Sequence, residues 1–362
     1  MIITIYITLF FIVLRFTVTV FNFISNPKLT RVNKHYTDFV SILIPARNEA
    51  PNVLPLLQSI HAQDYKNYEV IIYDDDSSDD TYRLCLSFTS AHPGFSVIKG
   101  AKLPDGWLGK NYACFQLAKK AKGDYLLFLD ADEIVSAGLI NSAVHRMKLY
   151  KLGLLSLFCN QVMQTPGEKT TVPLINYLLL NLFPVRLVYL IKSAVFSAAS
   201  GQFMLFDAEI YREATWHKQV KGKIGGDAAI MKLVKSSGYN GEVLLANGLI
   251  SCRMFKGYRE AVTGLSKNAL AAFNYSVAGL LVYLVLLVGG PMIVIMTLNF
   301  NLIFFMSGLI ILMRIMISLA SGQNAIYNVL LHPLQMINLT LIALFSIQKH
   351  LTNTVVWKGR PV

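Results

Sequence analysis

The chain has 362 residues, 54% of them hydrophobic and 15% charged, a composition too apolar for a domain whose whole surface meets water. Its 33 Lys and Arg outweigh 21 Asp and Glu, but no Arg-rich tract or nucleic-acid motif accompanies the excess, so the charge argues for an anionic membrane face and against nucleic acid. Cys85, Cys114, Cys159 and Cys252 are widely spaced with no Cys-x-x-Cys pair, which argues against a zinc site or disulfide framework and for reduced structural thiols.

Residues 1–24 are apolar except for Arg15 and match the roughly 20 residues that cross a bilayer core. A cleaved signal peptide would carry a basic start and a small-x-small site; neither is present, so the segment reads as an anchor. Lys28, Arg31 and Lys34 follow directly and place what comes next in the cytoplasm. From 39 to 270, short β-branched runs ending in polar clusters alternate with segments of helical period. Strands are predicted at 40–44, 69–73 and 124–129, and helices at 52–61 and 111–122. This alternation implies right-handed crossovers and an α/β fold with a mainly parallel sheet. Such sheets bind ligands at the carboxyl ends of their strands, where the acidic clusters of this chain fall.

The first cluster spans Asp74, Asp75, Asp76 and Asp79. Its carboxylates suit a nucleobase N–H or a ribose hydroxyl, but taken alone the cluster favours a solvated turn capping the next helix. The second, Asp130-Ala-Asp132-Glu133, ends a buried strand, and alternation lets both aspartates approach one ligand. Hard carboxylate oxygens suit Mg²⁺ or Mn²⁺ shared with a diphosphate, a helix-capping turn being the alternative. The apolar stretch 172–199 contains Pro184, Arg186 and Lys192, which favours a pair of interfacial helices over a span. The basic run His217, Lys218, Lys221 and Lys223 is either a headgroup contact or a solvated face.

Gly225-Gly226-Asp227 opens a helix predicted over 228–236, where Asp227 is either an N-terminal carboxylate or a general base. Residues 276–298 and 300–320 are long enough to span, with Pro291 kinking the first and Arg314 interrupting the second. Residues 325–347, broken by His332-Pro333, form a third span or lie along the interface. Lys349, Lys358 and Arg360 favour a cytoplasmic tail over 348–362, which requires an even number of C-terminal crossings.

Ser41-Ile-Leu-Ile-Pro-Ala-Arg-Asn-Glu49, Tyr73-Asp-Asp-Asp-Ser-Ser-Asp79 and Phe128-Leu-Asp-Ala-Asp132 resemble, in order and spacing, the nucleotide-binding half of family-2 glycosyltransferases of GT-A fold. Leu103-Pro-Asp-Gly-Trp-Leu-Gly-Lys-Asn111 narrows the likeness to the hopanoid-associated and carotenoid (diaponeurosporenoate-type) subgroups. The resemblance implies that Pro45, Ala46, Arg47, Glu49 and Asp75 hold the nucleoside of a nucleotide sugar. Lys110 would meet its phosphates, Asp130 the ribose or metal, and Asp132 the metal, Mg²⁺ or Mn²⁺. Gly201 and Gln202 resemble the family's acceptor-side loop, and Asp227 falls where its base is expected, although Gly226 stands where Glu is usual. Arg253, Trp357 and Arg360 lie in segments that also look like the carotenoid subgroup. No Gln-x-x-Arg-Trp follows Asp227, and that motif accompanies processive synthases.

The resulting expectation is an inverting transfer of one sugar, from UDP-glucose or a related nucleotide sugar, to a lipid acceptor. Carotenoid acids, hopanoids, diacylglycerols and polyprenyl phosphates fit as acceptors. The enzyme would be multi-pass in the cell membrane with its catalytic domain in the cytoplasm. A transporter or scaffold with ion-binding loops is the first alternative. A phosphohydrolase using Asp130 is the second, but Ile134 stands where the haloacid-dehalogenase pattern expects Thr or Val.

Overall fold

The computed structural model describes residues 2–223, 225–273, 275–352, 356–357 and 360–361, with side chains as far as residue 352 apart from 268 and 272. In chain order, α1 (Ile2–Ser25) is followed by β1 (Val40–Ala46), α2 (Val53–His61), β2 (Tyr68–Asp74), α3 (Thr81–Ala91) and β3 (Phe95–Lys99). Then come α4 (Gly109–Lys120), β4 (Tyr125–Leu129), β5 (Glu133–Val135), α5 (Leu139–Tyr150), β6 (Leu152–Phe158) and β7 (Asn160–Gln161). Next are α6 (Pro166–Thr171), α7 (Pro173–Leu182), α8 (Leu187–Leu190), β8 (Phe203–Asp207), α9 (Ala208–Ala214), α10 (Trp216–Gln219) and α11 (Gly226–Ser236). β9 (Asn240–Leu245), β10 (Ile250–Cys252) and α12 (Tyr258–Asn268) lead into α13 (Val277–Leu284), α14 (Gly290–Met296), α15 (Phe300–Ser321), α16 (Ala325–Leu330) and α17 (His332–Leu351). The described chain ends in β11 (Val356–Trp357) and β12 (Arg360–Pro361).

The main sheet has the order β3-β2-β1-β4-β8-β6-β9. All its pairings are parallel except those that β8 makes with β4 and β6. The predicted parallel character therefore holds with one exception, and the path of the chain explains it. After β6 the chain travels along the carboxyl edge through α6 to α8, so the next strand begins at that edge and runs back. Alternation along the strands divides the core into two layers: Leu43, Tyr73 and Phe128 face α4 and α11, whereas Ile42, Ile44 and Leu129 face α2 and α5. The four cysteines are buried and unpaired.

Among the described residues three helical segments are long and apolar enough to cross a membrane: Ile2–Ser25, Val277–Met296 and Phe300–Ser321. The predicted kink at Pro291 takes the form of a π-helical turn at Val285–Gly289, just before the residue that has no N–H to donate. The apolar stretch 325–347 breaks at His332-Pro333, and α17 is pinned to the globular part by a polar stripe. Gln335 Nε2 donates to the Lys169 carbonyl (3.0 Å), Asn338 Nδ2 to the Thr170 carbonyl (3.0 Å), and Ser346 Oγ accepts from the Leu270 amide (3.0 Å). These groups share one face at helical spacing, and lipid would leave them unsatisfied.

The stretch 172–199 forms α7 and only a four-residue α8. Its Arg186 turns inward. The Glu242 carboxylate, 1% exposed, accepts from Arg146 Nε and Nη2 (both 2.6 Å) and from Arg186 Nη1 (2.7 Å). Breaking a buried, doubly paired carboxylate leaves cations without a partner. Glu242→Gln is therefore expected to destabilise the protein by about 3–5 kcal/mol. In detergent-solubilised protein this would be read as a fall of about 5–10 °C in the thermal midpoint.

Candidate active site

The carboxyl ends of β1, β2 and β4 open on one edge, and the antiparallel β8 brings residues 201–202 to the same place. The loop after β1 is fastened to the loop after β2: Arg47 Nη1 donates to the carbonyls of Asp75 and Asp76, and the Asp75 amide donates to the Ala46 carbonyl (2.8 Å). Asn48 and Asp76 take the left-handed conformation at φ 52° and 56°, which Asn and Asp tolerate better than other side chains. The acidic cluster divides between its two readings. Asp79 accepts from the Thr81 and Ala50 amides (3.0 and 3.1 Å); burial opposes its charge, but these bonds and the Thr81 hydroxyl hold it below the usual carboxylate range. Asp75 instead faces the cleft.

At the end of β4 the Asp130 amide donates to the Gln202 carbonyl (3.2 Å). Lys110, from the first turn of α4, places Nζ 2.5 Å from Asp130 Oδ1 and 3.2 Å from the Gly201 carbonyl. Burial alone would lower the pKa of this ammonium, yet the charges of Asp130 and Asp227 hold it above its usual range. Burial, with the charges of Asp130 and Glu49, pushes Asp132 up to about 6. Pro45, Ala46, Arg47, Glu49, Asp75, Lys110, Asp130 and Asp132 all line one cleft, together with Ala113 and Ala131.

Asp227 lies beyond Lys110, in the first turn of α11 after Gly225 at φ 66°. Burial raises its pKa; Asp130 adds to the effect, and Lys110 and a hydrogen bond from the Gly201 backbone oppose it. Gly201 is required there sterically, because a Cβ would overlap the Asp227 carboxylate. Gly201→Ala is therefore expected to slow transfer by about tenfold or more through misplacement of Asp227. Circular dichroism and gel filtration of the variant should be unchanged. At Gly226 an added Cβ would find only close or ordinary contacts, 3.3 Å to Val220 and 3.5 Å to Asn111, so the structure shows no steric requirement for glycine there. Asn111 Nδ2 is engaged with the Val220 and Lys221 carbonyls (2.8 and 3.3 Å).

Other predicted residues stand apart from the cleft. Gln202 Nε2 donates to Glu133 Oε1 (2.8 Å) and contacts Cys252 Sγ (2.9 Å), which joins the Asp130–Glu133 turn to β10. Arg253 Nη2 donates to Glu168 Oε1 (2.8 Å). Burial opposes the charge of Glu168, but Arg253 and the amides of Gln164 and Thr165 hold it at about 2. The side chains of Trp357 and Arg360 lie outside the described residues; their backbones pair in β11 and β12. His217 does not belong to the exposed basic run. It is buried beside Phe128 and bonded to the Tyr211 hydroxyl (2.7 Å), and burial, with Lys110, pushes it down to about 3. Lys218, Lys221 and Lys223 are exposed.

Among the described residues no three His, Cys, Asp or Glu side chains converge into a metal cage. Asp130 and Asp132 nevertheless fit a hard cation that takes most of its ligands from phosphate and water. They offer oxygen donors only, in a cleft whose four carboxylates (Glu49, Asp75, Asp130 and Asp132) outnumber its two cations, Arg47 and Lys110.

A parallel sheet with one reversed strand and with paired aspartates at its carboxyl edge is the arrangement of a GT-A fold. Residues 41–213 match the family described as Glycosyl transferase family 2, and the chain resembles glycosyltransferases of the carotenoid-type subgroup. It is 27% identical to the 4,4'-diaponeurosporenoate glycosyltransferase of Staphylococcus haemolyticus over 242 residues, 64% of this chain and 61% of that protein. It is 25% identical to the Staphylococcus aureus enzyme of the same name over 341 residues, 89% of this chain and 87% of that one. Among solved structures, a mannosyltransferase from Pyrobaculum calidifontis in complex with GDP-Man and Mn²⁺ shares the fold. Its TM-score is 0.55 at 15% identity, with 97% of this chain and 100% of that chain covered.

Proposed function

We propose that the protein transfers one sugar, with inversion, from a nucleotide-diphosphate sugar to a membrane lipid, with UDP-glucose the first donor to test. The observation that carries this reading is the direct linkage of the donor cleft to a carboxylate. Lys110 bridges Asp130 and the Gly201 carbonyl, and the Gly201 backbone hydrogen-bonds Asp227. Pro45, Ala46, Arg47, Glu49 and Asp75 hold the nucleoside, and Lys110 exchanges its contact with Asp130 for the donor phosphates. Asp132 with Asp130 would hold Mg²⁺ or Mn²⁺, which would supply a Lewis acid for the departing diphosphate. With an alcohol acceptor, Asp227 takes the hydroxyl proton as the oxygen attacks the anomeric carbon from the opposite face; a carboxylate acceptor attacks already ionised.

The relatives' names point to a carotenoid carboxylic acid as acceptor; hopanoids and polyprenyl phosphates are the next classes to test. Three helical segments of spanning length and apolarity support a multi-pass protein of the cell membrane. With one crossing before the catalytic domain and two after it, the domain and the tail share a side, and Lys28, Arg31 and Lys34 support the cytoplasmic one. Membranes containing the protein, incubated with UDP-glucose, UDP-galactose or GDP-mannose, should yield a new glycolipid by mass spectrometry of the lipid extract. No new glycolipid with any donor would overturn the proposal.

A further inference from the structure

Away from the cleft, two arginines from spanning-length helices meet at one ring. Arg15 of α1 and Arg314 of α15 are 3% and 2% exposed, and their guanidinium carbons lie 5.1 and 4.4 Å from the centroid of Tyr177 on α7. Each makes one hydrogen bond through Nε, Arg15 to Asn181 Oδ1 (3.2 Å) and Arg314 to the Asn328 carbonyl (3.1 Å). Among the described residues the buried Nη2 atoms of both arginines have no hydrogen-bond partner, and neither do Asn181 Nδ2, the Tyr283 hydroxyl or His332 Nδ1. His332 packs on Tyr177 at 5.7 Å, and Tyr283 packs on Phe11, over which Arg15 also lies. The orphaned atoms therefore gather around Tyr177, and every one of them is a donor or, for His332, able to donate.

Guanidinium groups stay charged. Two of them buried together repel, and one aromatic face offsets only part of that cost. The usual remedy is a carboxylate, but residues 1–37, 169–206 and 261–362 contain no Asp or Glu, so the helices of this bundle have none to offer. Among the described residues nothing supplies the missing countercharge, and a molecule rich in acceptors and soluble in lipid would fit it. We propose that the oxyanion headgroup of an amphiphile, a carboxylate or a phosphate, binds between Arg15 and Arg314 on the donors around Tyr177. The site is separate from the catalytic cleft and does not depend on the donor or acceptor chemistry proposed above.

Thermal unfolding of the full-length protein in neutral detergent tests this without measuring transfer. Palmitate and hexadecanol share a chain and differ in headgroup; phosphatidylglycerol and phosphatidylcholine differ in net charge. At least one anionic member of these pairs is expected to raise the midpoint by about 3–5 °C, with little effect from its neutral counterpart. Arg15→Gln combined with Arg314→Gln should abolish that response, and native mass spectrometry should show one anionic amphiphile on the wild type and none on the variant. A response to palmitate alone assigns a carboxylate amphiphile; one to phosphatidylglycerol alone assigns a bilayer phosphate. Equal shifts from charged and neutral members, no shift from either anion, or a response that survives in the double variant would each overturn the proposal. If the double variant does not fold, the wild-type comparison of matched charged and neutral amphiphiles decides alone.

Discussion

Asp132→Asn is expected to lower glycosyl transfer by about 10²–10³-fold or more while making the metal-free protein more stable. The two effects have one cause. The carboxylate sits in a cleft with Asp130 and Glu49, where burial and those charges push it up to about 6. An acid whose folded pKa lies above its unfolded value of about 3.9 weakens the fold when charged. The penalty develops as pH rises from about 4 to about 6 and is complete above that range. Asparagine removes it, so at pH 7.5 in EDTA the variant should gain on the order of 1–3 kcal/mol. The same substitution removes the ligand that Mn²⁺ or Mg²⁺ would use to neutralise the leaving diphosphate, a loss comparable to deleting a main electrostatic contact to the transition state. Thermal unfolding with and without Mn²⁺ separates the roles: the wild type should be stabilised by the ion and the variant should not. A variant that is less stable in EDTA would show that Asp132 serves the fold, as a turn or cap, and not the metal.

The parts of this site that could be read from sequence are local ones. β1, β2 and β4 are continuous apolar runs buried on both faces of a sheet, and each ends in polar residues that fall at one edge by the geometry of parallel pairing. Lys110 stands out through its Gly-Trp-x-Gly-Lys setting. The contacts between Lys110 and Gly201, and between Gly201 and Asp227, join segments far apart in sequence and placed together only by β8 and α11, so no window of periodicity contains them. The same limit explains Arg186. A cation in an apolar stretch suggests an interface, and only the tertiary structure supplies Glu242 as its partner. His217 reads as part of a basic run because its neighbours are lysines, whereas its ring is packed among Phe128, Phe206 and Tyr211. In α17 the signal was present but faint: Gln335, Asn338 and Ser346 mark one polar face in an otherwise apolar segment, a pattern that favours docking over spanning.

The relation between Asp227 and its acceptor leads to the second large effect. Asp227→Asn is expected to reduce transfer to an alcohol by about 10²–10⁴-fold, the usual contribution of a positioned base, while transfer to a carboxylic acid falls by less than about tenfold. An alcohol still holds its proton when it attacks; a carboxylic acid is already ionised near neutral pH and brings its own nucleophilic oxygen. The structure favours this division. Burial raises the pKa of Asp227 and moves its affinity for a proton toward the working range, a rise that Lys110 and the Gly201 backbone oppose. Asparagine keeps an oxygen in reach of that backbone contact, so the substitution tests proton transfer more than position. With the wild type and an alcohol, the acid limb of kcat should lie above the ordinary Asp value of about 3.9, since the base must be ionised and its pKa is raised; in the variant that limb should vanish. Initial rates with UDP-glucose and matched long-chain alcohol and acid acceptors measure both effects. Equal losses on the two acceptors, with the limb retained, would make Asp227 an anchor for the sugar or for Lys110. In that case the proton would leave by another route, and the link from Lys110 through Gly201 to Asp227 would serve alignment alone.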